Sequence, residues 1–122
     1  MDNKSSPAKL LIDFKQYRIR IYKSTLHELG NPVFIKFLIN PETKVLAVKA
    51  YSYEVSGDQT YRIKPQRYFD KQCVEIKCRS LVCSFSDIVP DFEHNHGYLL
   101  QGSIIESENM AVFPLSNVTS IN

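Results

Sequence analysis

Short runs of alternating apolar and polar residues fill this chain, and turn signals separate them. Across residues 17–22, Tyr, Ile and Ile alternate with two arginines, which predicts a half-buried strand with a basic outer face. The apolar runs 33–39 and 45–53 are joined by Asn-Pro-Glu-Thr-Lys, which predicts a β-hairpin. Runs 98–105 and 110–115 flank Ser-Glu-Asn and predict a second hairpin. Most of the chain is therefore expected to be β-structure.

The apolar pattern of residues 12–26 recurs at residues 74–88. Overlaying the two segments matches apolar with apolar positions, and each segment reads as a strand, a short strand and a one-turn helix, followed by one of the hairpins. Two units that cannot bury a core alone are expected to pack on each other. The division predicted is a first copy at about 9–55, a connector at about 56–72 and a second copy at about 73–116.

The repeat predicts a single mostly-β domain over residues 1–122. We expect a small barrel-like domain in which two strand–short helix–β-hairpin repeats interleave as a pseudo-dimer, because this removes the strand edges that either copy would expose alone. At this length a single core can form without a disulfide or a metal.

Several local features sharpen this picture. A capping box that starts at Thr25 predicts the beginning of the first helix, and Gly30 can end that helix with a positive φ. In the second copy, residues 80–84 are expected to form the short strand and residues 86–89 the helix. The last residues, 116–122, are expected to be loose.

Charge is divided unevenly along the chain, although the net charge is only +2. Residues 1–49 carry nine Lys or Arg and four Asp or Glu, whereas residues 80–122 carry no basic residue and five acidic ones. This asymmetry predicts either a basic face for an anionic partner or two complementary faces that associate. Two faces that are simply solvated are the alternative.

The cysteines and the apolar runs indicate a cytoplasmic protein with no membrane partner. No apolar run is long enough to span a bilayer, and the N-terminus lacks the apolar core of a signal peptide. Three cysteines in a secreted chain would leave one thiol unpaired. Cys78 lies between Lys77 and Arg79, but strand neighbours point to opposite faces, so the pattern favours a buried thiol over a nucleophile.

No catalytic motif is present, and we predict a protein that is not an enzyme and needs no cofactor. The chain has no Gly-rich phosphate loop, no nucleophile elbow and no His-Glu-x-x-His run. Residues 91–96 contain two histidines and two carboxylates, but no second ligand pair completes a zinc signature. A polar surface loop is the favoured interpretation of that segment, and no metal site is predicted.

The run Ile-Tyr-Lys-Ser-Thr-Leu-His-Glu-Leu-Gly at residues 21–30, followed by the hairpin 34–48, resembles the AbrB/SpoVT swapped-hairpin family. Members of that family show a strand ending in aliphatic-Pro-Lys, a short helix ending in Leu-Gly, and a hairpin. The resemblance covers residues 17–49, and residues 79–115 only by analogy through the repeat. Tyr22 departs from the pattern, because the family prefers proline there.

This resemblance implies a fused pair of copies that forms one interleaved barrel and binds DNA near its strand-to-helix corner. It implies a DNA-binding transcriptional regulator whose basic strand face contacts double-stranded DNA through Lys15, Arg18, Arg20 and Lys23. Alternate arginines on a strand can follow phosphates, but arginines on an exposed strand face are more often solvated or paired with carboxylates across strands. The alternative function is an assembly module, in which the basic first copy of one chain meets the acidic second copy of another.

The chain has seven tyrosines and seven phenylalanines but no tryptophan. Most of them are expected to form the core. One group is denser than a core requires and predicts a stacking surface for a protein or a single-stranded nucleic acid, unless it forms a tyrosine-rich hairpin packed on the barrel. Its members are Tyr51, Tyr53, Tyr61, Tyr68 and Phe69, with Arg62, Lys64 and Arg67.

Overall fold

The computed structural model describes residues 7–64 and 72–121. Its strands are β1 (Pro7–Asp13), β2 (Arg18–Tyr22), β3 (Phe34–Asn40), β4 (Val45–Tyr51), β5 (Thr60–Arg62), β6 (Cys73–Lys77), β7 (Gly97–Ile105), β8 (Met110–Pro114) and β9 (Val118–Ile121). Its α-helices are α1 (Lys23–Glu28) and α2 (Arg79–Ile88), and a one-turn 3-10 helix, Glu106–Glu108, joins β7 to β8.

The strands form one antiparallel sheet in the order β5-β3-β4-β8-β7-β1-β2-β6, and β9 pairs with β7. The sheet curls into a half-barrel, and the strands at its two edges, β5 and β6, line a cavity of about 400 Å³. The predicted mostly-β, barrel-like fold is confirmed.

The internal repeat is present in the topology, but in a different register from the sequence overlay. The first unit runs β2, α1 and the β3–β4 hairpin, and the second runs β6, α2 and the β7–β8 hairpin. Equivalent strands of the two units pair antiparallel with each other twice, β2 with β6 and β4 with β8. This is the pairing expected of an interleaved pseudo-dimer. Strand β1, which the overlay matched to β6, lies outside the repeated unit.

The prediction of a strand at residues 80–84 followed by a one-turn helix is wrong, because this segment forms the single helix α2. The overlay of Leu81 and Cys83 on Ile19 and Ile21 of the first copy suggested a strand. However, Leu81 and Phe85 also lie one helical turn apart, and both are buried in the structure. The apolar spacing was compatible with both periods, and the segment adopts the helical one.

Thr25 does not cap α1, which begins at Lys23 directly after β2. Its hydroxyl instead accepts a hydrogen bond from the Lys9 amide at 2.8 Å and donates one to the Lys9 carbonyl at 3.1 Å. Because β2 has already ended at Tyr22, the Thr25 side chain supplies the hydrogen bonds that another strand residue would have given β1. Gly30 takes the predicted positive φ, at 82°.

Two further predictions concern the ends of the copies. The tail was expected to be loose, but Val118–Ile121 forms β9 and pairs with β7 from Leu100 to Gly97. The predicted connector contains β5, and its residues 65–71 lie outside the described part of the chain. Largest among the fully buried side chains are Phe14, Phe85, Phe113, Leu10, Ile12, Ile19, Ile21, Leu26, Ile35, Leu46, Ile63 and Leu100.

Candidate functional site

The outer side of strands β1, β2 and β6 carries a group of charged side chains that we call the basic face. Strand alternation places them there, because Ile19 and Ile21, which point the other way from β2, are fully buried. Register then sets the neighbours: Arg18 lies between Asp13 and Lys77, and Arg20 lies between Leu11 and Glu75. The charged members of the basic face are Lys9, Asp13, Arg18, Arg20, Glu75 and Lys77.

The two arginines of the basic face form cross-strand ion pairs. Arg18 donates from Nε to Asp13 Oδ2 at 3.0 Å and from Nη1 to Glu75 Oε1 at 2.9 Å. Arg20 donates from Nε and Nη2 to Glu75 Oε2, each at 2.9 Å. Glu75 therefore joins both guanidinium groups. The sequence left cross-strand ion pairing and solvation as the alternatives to phosphate contact. In the structure Arg18 and Arg20 form cross-strand ion pairs.

Exposure separates these two arginines. The Arg18 side chain is 15% exposed and lies between two carboxylates, whereas the Arg20 side chain is 34% exposed and has one carboxylate partner. Arginine carries five N–H donors, so Arg20 retains donors beyond the two that Glu75 accepts. Arg20 is thus the better placed of the two for an incoming anion.

The other two predicted DNA contacts lie beyond the opposite ends of β2. Lys15 is exposed in the β1–β2 turn, which Asp13 organises by accepting hydrogen bonds from the amides of Lys15 at 2.9 Å and Gln16 at 3.3 Å. Lys23 begins α1, and its amide donates to the Gln72 carbonyl at 2.7 Å. A five-residue strand spans about 16 Å, so the four predicted residues follow the length of β2 rather than forming one cluster.

Sequence reasoning did not identify Asp13, Glu75 and Lys77 as parts of this face. Alternate charges are visible in both β2 and β6, but no local signal shows that these two strands are neighbours. Four cations and two carboxylates give the basic face a formal net charge of +2. Arg79, at the start of α2, stacks over Tyr17 with Cζ 4.2 Å from the ring centroid, which adds a cation beside the β1–β2 turn.

Cys78 follows β6 and is buried, as the sequence predicted. Burial raises the pKa of its thiol to about 11, and Sγ donates a weak hydrogen bond to the Ile76 carbonyl at 3.4 Å. A neutral thiol is a poor nucleophile. Cys78 is therefore a buried core residue rather than a reactive thiol.

The histidine-containing loop at residues 91–96 is held by aromatic contacts. His94 lies 5.7 Å from Phe14 between ring centroids, and the Glu93 amide donates to the Tyr98 hydroxyl at 2.8 Å. No group of three His, Cys, Asp or Glu side chains in the described part of the chain is arranged to hold a metal ion.

The predicted stacking group divides between the two sides of the sheet. Tyr61 points inward, with its ring 5.6 Å from Phe37, and burial, with a smaller contribution from Cys78, raises its pKa. Tyr51 and Tyr53 lie on the outer side, where Tyr53 is 65% exposed. Arg62 of β5 and Lys64 are exposed, whereas Arg67, Tyr68 and Phe69 lie outside the described residues.

Besides the contacts of Glu75, the second copy forms a further ion pair with the first copy within one chain, through its acidic turn. Glu108, in the turn between β7 and β8, places Oε1 3.9 Å from Lys49 Nζ on β4. The pairing of β4 with β8 brings these residues together. Part of the charge division is therefore complementary inside the protomer.

Comparison with protein-family models, with curated proteins and with solved structures finds no match. Neither helix in the described ranges is long and apolar enough to cross a membrane. The resemblance to the AbrB/SpoVT family and the cytoplasmic location stay predictions.

Proposed function

We propose that this protein is a non-enzymatic DNA-binding regulator that holds the duplex backbone against its basic face. The observation that carries the proposal is the excess of cations over carboxylates on the outer side of β1, β2 and β6. Lys9 and Lys77 are exposed on this face, and exposed Lys15 extends it at the β1–β2 turn. Such a face attracts phosphates of any sequence.

In this proposal the ion pairs orient the two arginines of β2 for phosphate binding. Glu75 and Asp13 fix the guanidinium groups in direction, so less side-chain freedom is lost when a phosphate binds. Arg20 offers its remaining donors to the phosphate while Glu75 holds it. The lysines, which are more exposed, supply most of the counterion release. These separate roles predict sequence-independent binding that weakens steeply with salt.

The test is the triple substitution Lys9→Gln, Lys15→Gln and Lys77→Gln. These changes remove three cations and leave the arginine–carboxylate pairs in place. Fluorescence anisotropy of a labelled random duplex, at low and near-physiological salt, should show that affinity falls by at least about tenfold at low salt. The salt slope should flatten by roughly one for each phosphate that no longer has a lysine partner.

A matched control lowers the net charge by the same three units in the exposed β3–β4 turn, with Thr43→Glu and Lys44→Glu. We expect this variant to retain most of the duplex affinity, because that turn belongs to none of β1, β2 and β6. An equal decrease in both variants would show that net charge alone drives binding. A parent protein that fails to bind duplex even at low salt would overturn the proposal.

Self-association is a second candidate function, favoured by apolar side chains on the outer side of β3, β4 and β8. Leu38 is 40% exposed there, and its cross-strand neighbour Ala47 pairs in turn with Val112. We propose that a second copy of this chain covers this strip, with the acidic turn of one copy meeting the lysines of the other. This would be the assembly module anticipated from the charge division.

Sedimentation velocity at low and high salt tests this candidate. The parent should form a dimer that dissociates as salt is added, and Glu106→Lys with Glu108→Lys should abolish it at all salt concentrations. Glu42→Lys together with Glu28→Lys, which changes the charge equally elsewhere, should leave the dimer intact. A parent that is monomeric at every salt concentration would remove the idea.

A further inference from the structure

A second charged surface occupies the outer side of β3, β4 and β5, and it differs from the basic face because aromatic rings are part of it. Phe34 of β3 lies directly opposite Tyr51 of β4 and also opposite Arg62 of β5. Tyr53 follows, with its ring centroid 5.7 Å from that of Tyr51. Arg62 Cζ lies 6.0 Å from the centre of the Phe34 ring. One row of the sheet therefore presents adjoining aromatic and guanidinium groups.

The next row of the same surface brings two lysines together. Lys36 and Lys49 are direct cross-strand partners on β3 and β4. Like charges in this arrangement destabilise a sheet unless an anion lies between or beside them. Glu108 approaches Lys49 at 3.9 Å, but its side chain is 57% exposed, so this pair is weakly held and screened. The lysine row is consequently suited to an additional anion.

We propose that this surface, which we call the aromatic–lysine surface, binds single-stranded nucleic acid. It is defined by Phe34, Lys36, Lys49, Tyr51, Tyr53 and Arg62. Rows on one side of a strand are about 7 Å apart, so bases can stack on the aromatic row while the backbone passes over the lysines. This combination of stacking and phosphate attraction is how proteins bind single strands without reading sequence.

A cavity beside Phe34 supports the assignment. It has a volume of about 340 Å³. Glu54 and its neighbours in the loop after β4 line one part of it, and strand residues that include Arg62 line the rest. A volume of this size is within the usual range for small-molecule sites. Phe34, Arg62 and Glu54 all line the cavity, and a carboxylate such as that of Glu54 can accept hydrogen bonds from the exocyclic amino groups of a base.

The chemistry of the surface also separates it from the duplex contact proposed for the basic face. Paired bases in a duplex are stacked on each other and do not offer their faces to protein rings, whereas unpaired bases do. With Arg62, Lys36 and Lys49 against Glu54 and Glu108, the excess of positive charge is only one. Stacking must therefore provide much of the affinity, and this inference does not depend on the proposed duplex binding.

The experiment compares two labelled single strands of equal length, one of mixed sequence and one abasic. The abasic strand keeps the phosphates and removes the bases. The full chain should bind the mixed strand at least about tenfold more tightly than the abasic one. Phe34→Leu, Tyr51→Leu and Tyr53→Leu together should remove this preference, since leucine keeps apolar area without a π-face. Should the triple variant fold poorly by circular dichroism, Tyr53→Leu alone tests the most exposed ring and should weaken binding several-fold.

Lys36→Gln with Lys49→Gln should weaken binding to both strands, and the Lys9, Lys15 and Lys77 variant of the basic face should affect the mixed strand less. Equal affinity of the parent for mixed and abasic strands would overturn the proposal, as would an unchanged preference in the leucine variants. Displacement of the mixed strand by poly-glutamate at equal charge would assign the surface to an acidic protein partner and also overturn it. Because the readout is the preference for bases, failure here is distinct from failure of duplex binding.

Discussion

Replacing Gly102 with alanine is expected to cost this protein most of its stability. Gly102 lies in β7 where that strand passes from β1 to β8, opposite Ala8 of β1. A Cβ atom at this position would lie 1.8 Å from the Val112 carbonyl oxygen and 2.9 Å from Phe113 Cδ1. Backbone oxygen atoms cannot rotate away, so β7 and β8 would have to separate.

The loss should be several kcal/mol, comparable with the roughly 5–15 kcal/mol that a domain of this kind possesses. Urea denaturation followed by circular dichroism measures it. Gly97→Ala is the matched control in the same strand, because its added Cβ would lie 3.4 Å from its nearest neighbour, the Ile121 carbonyl oxygen. We expect that control to shift the free energy of unfolding by less than about 1 kcal/mol. A Gly102→Ala protein as stable as Gly97→Ala would show that the two strands can move apart freely.

Close approach at Gly102 illustrates what the sequence could not show. The hairpins were predictable because apolar alternation and turn residues are local signals, and Asn40 confirms its turn by accepting bonds from the amides of Glu42 at 3.0 Å and Thr43 at 3.2 Å. Contacts between distant strands leave no such signal. In the sequence, Gly102 is one of several scattered glycines. Only the path of β8 past it explains why this position must have no side chain.

The repeat was recognisable, but its register was not. Matching Ile12 with Val74 was favoured by corresponding apolar positions and by matches such as Lys15 with Lys77, whereas the structure equates β2 with β6, which pair with each other. Apolar alternation has a period of two, so neighbouring strands of similar composition give competing overlays. The topology decides between them, because equivalent strands must meet across the pseudo-twofold relation, as β4 and β8 also do.

The candidate site shows the same limit. Alternation alone correctly predicted that Arg18 and Arg20 share the outer side of β2. Their carboxylate partners come from β1 and β6, and Glu75 is 55 residues away from Arg20 in the chain. Only the tertiary pairing of β2 with β6 shows that the charge available to a ligand is smaller than the arginines suggest.

This pairing leads to the second large effect, an increase in DNA affinity when Glu75 becomes glutamine. Glu75 bonds to both Arg18 and Arg20 at 2.9 Å. Its replacement raises the formal charge of the basic face from +2 to +3 and leaves a neutral amide that can still accept from one guanidinium. On the proposed function, duplex affinity at low salt should rise by about tenfold and the salt slope should steepen by roughly one.

Stability should change little, since the Glu75 side chain is 42% exposed and pairs of this kind contribute about 0–1 kcal/mol. Glu42→Gln, in the exposed β3–β4 turn, removes the same charge at a distance and serves as the control. If both variants gain the same amount of duplex affinity, net charge governs binding and the position of the charge on the basic face does not matter. If Glu75→Gln binds more weakly, the glutamine amide does not replace the carboxylate in orienting the arginines, and the orientation that Glu75 provides outweighs its unfavourable charge. A gain confined to Glu75→Gln would identify Glu75 as an internal competitor of the DNA phosphates for the arginines of β2.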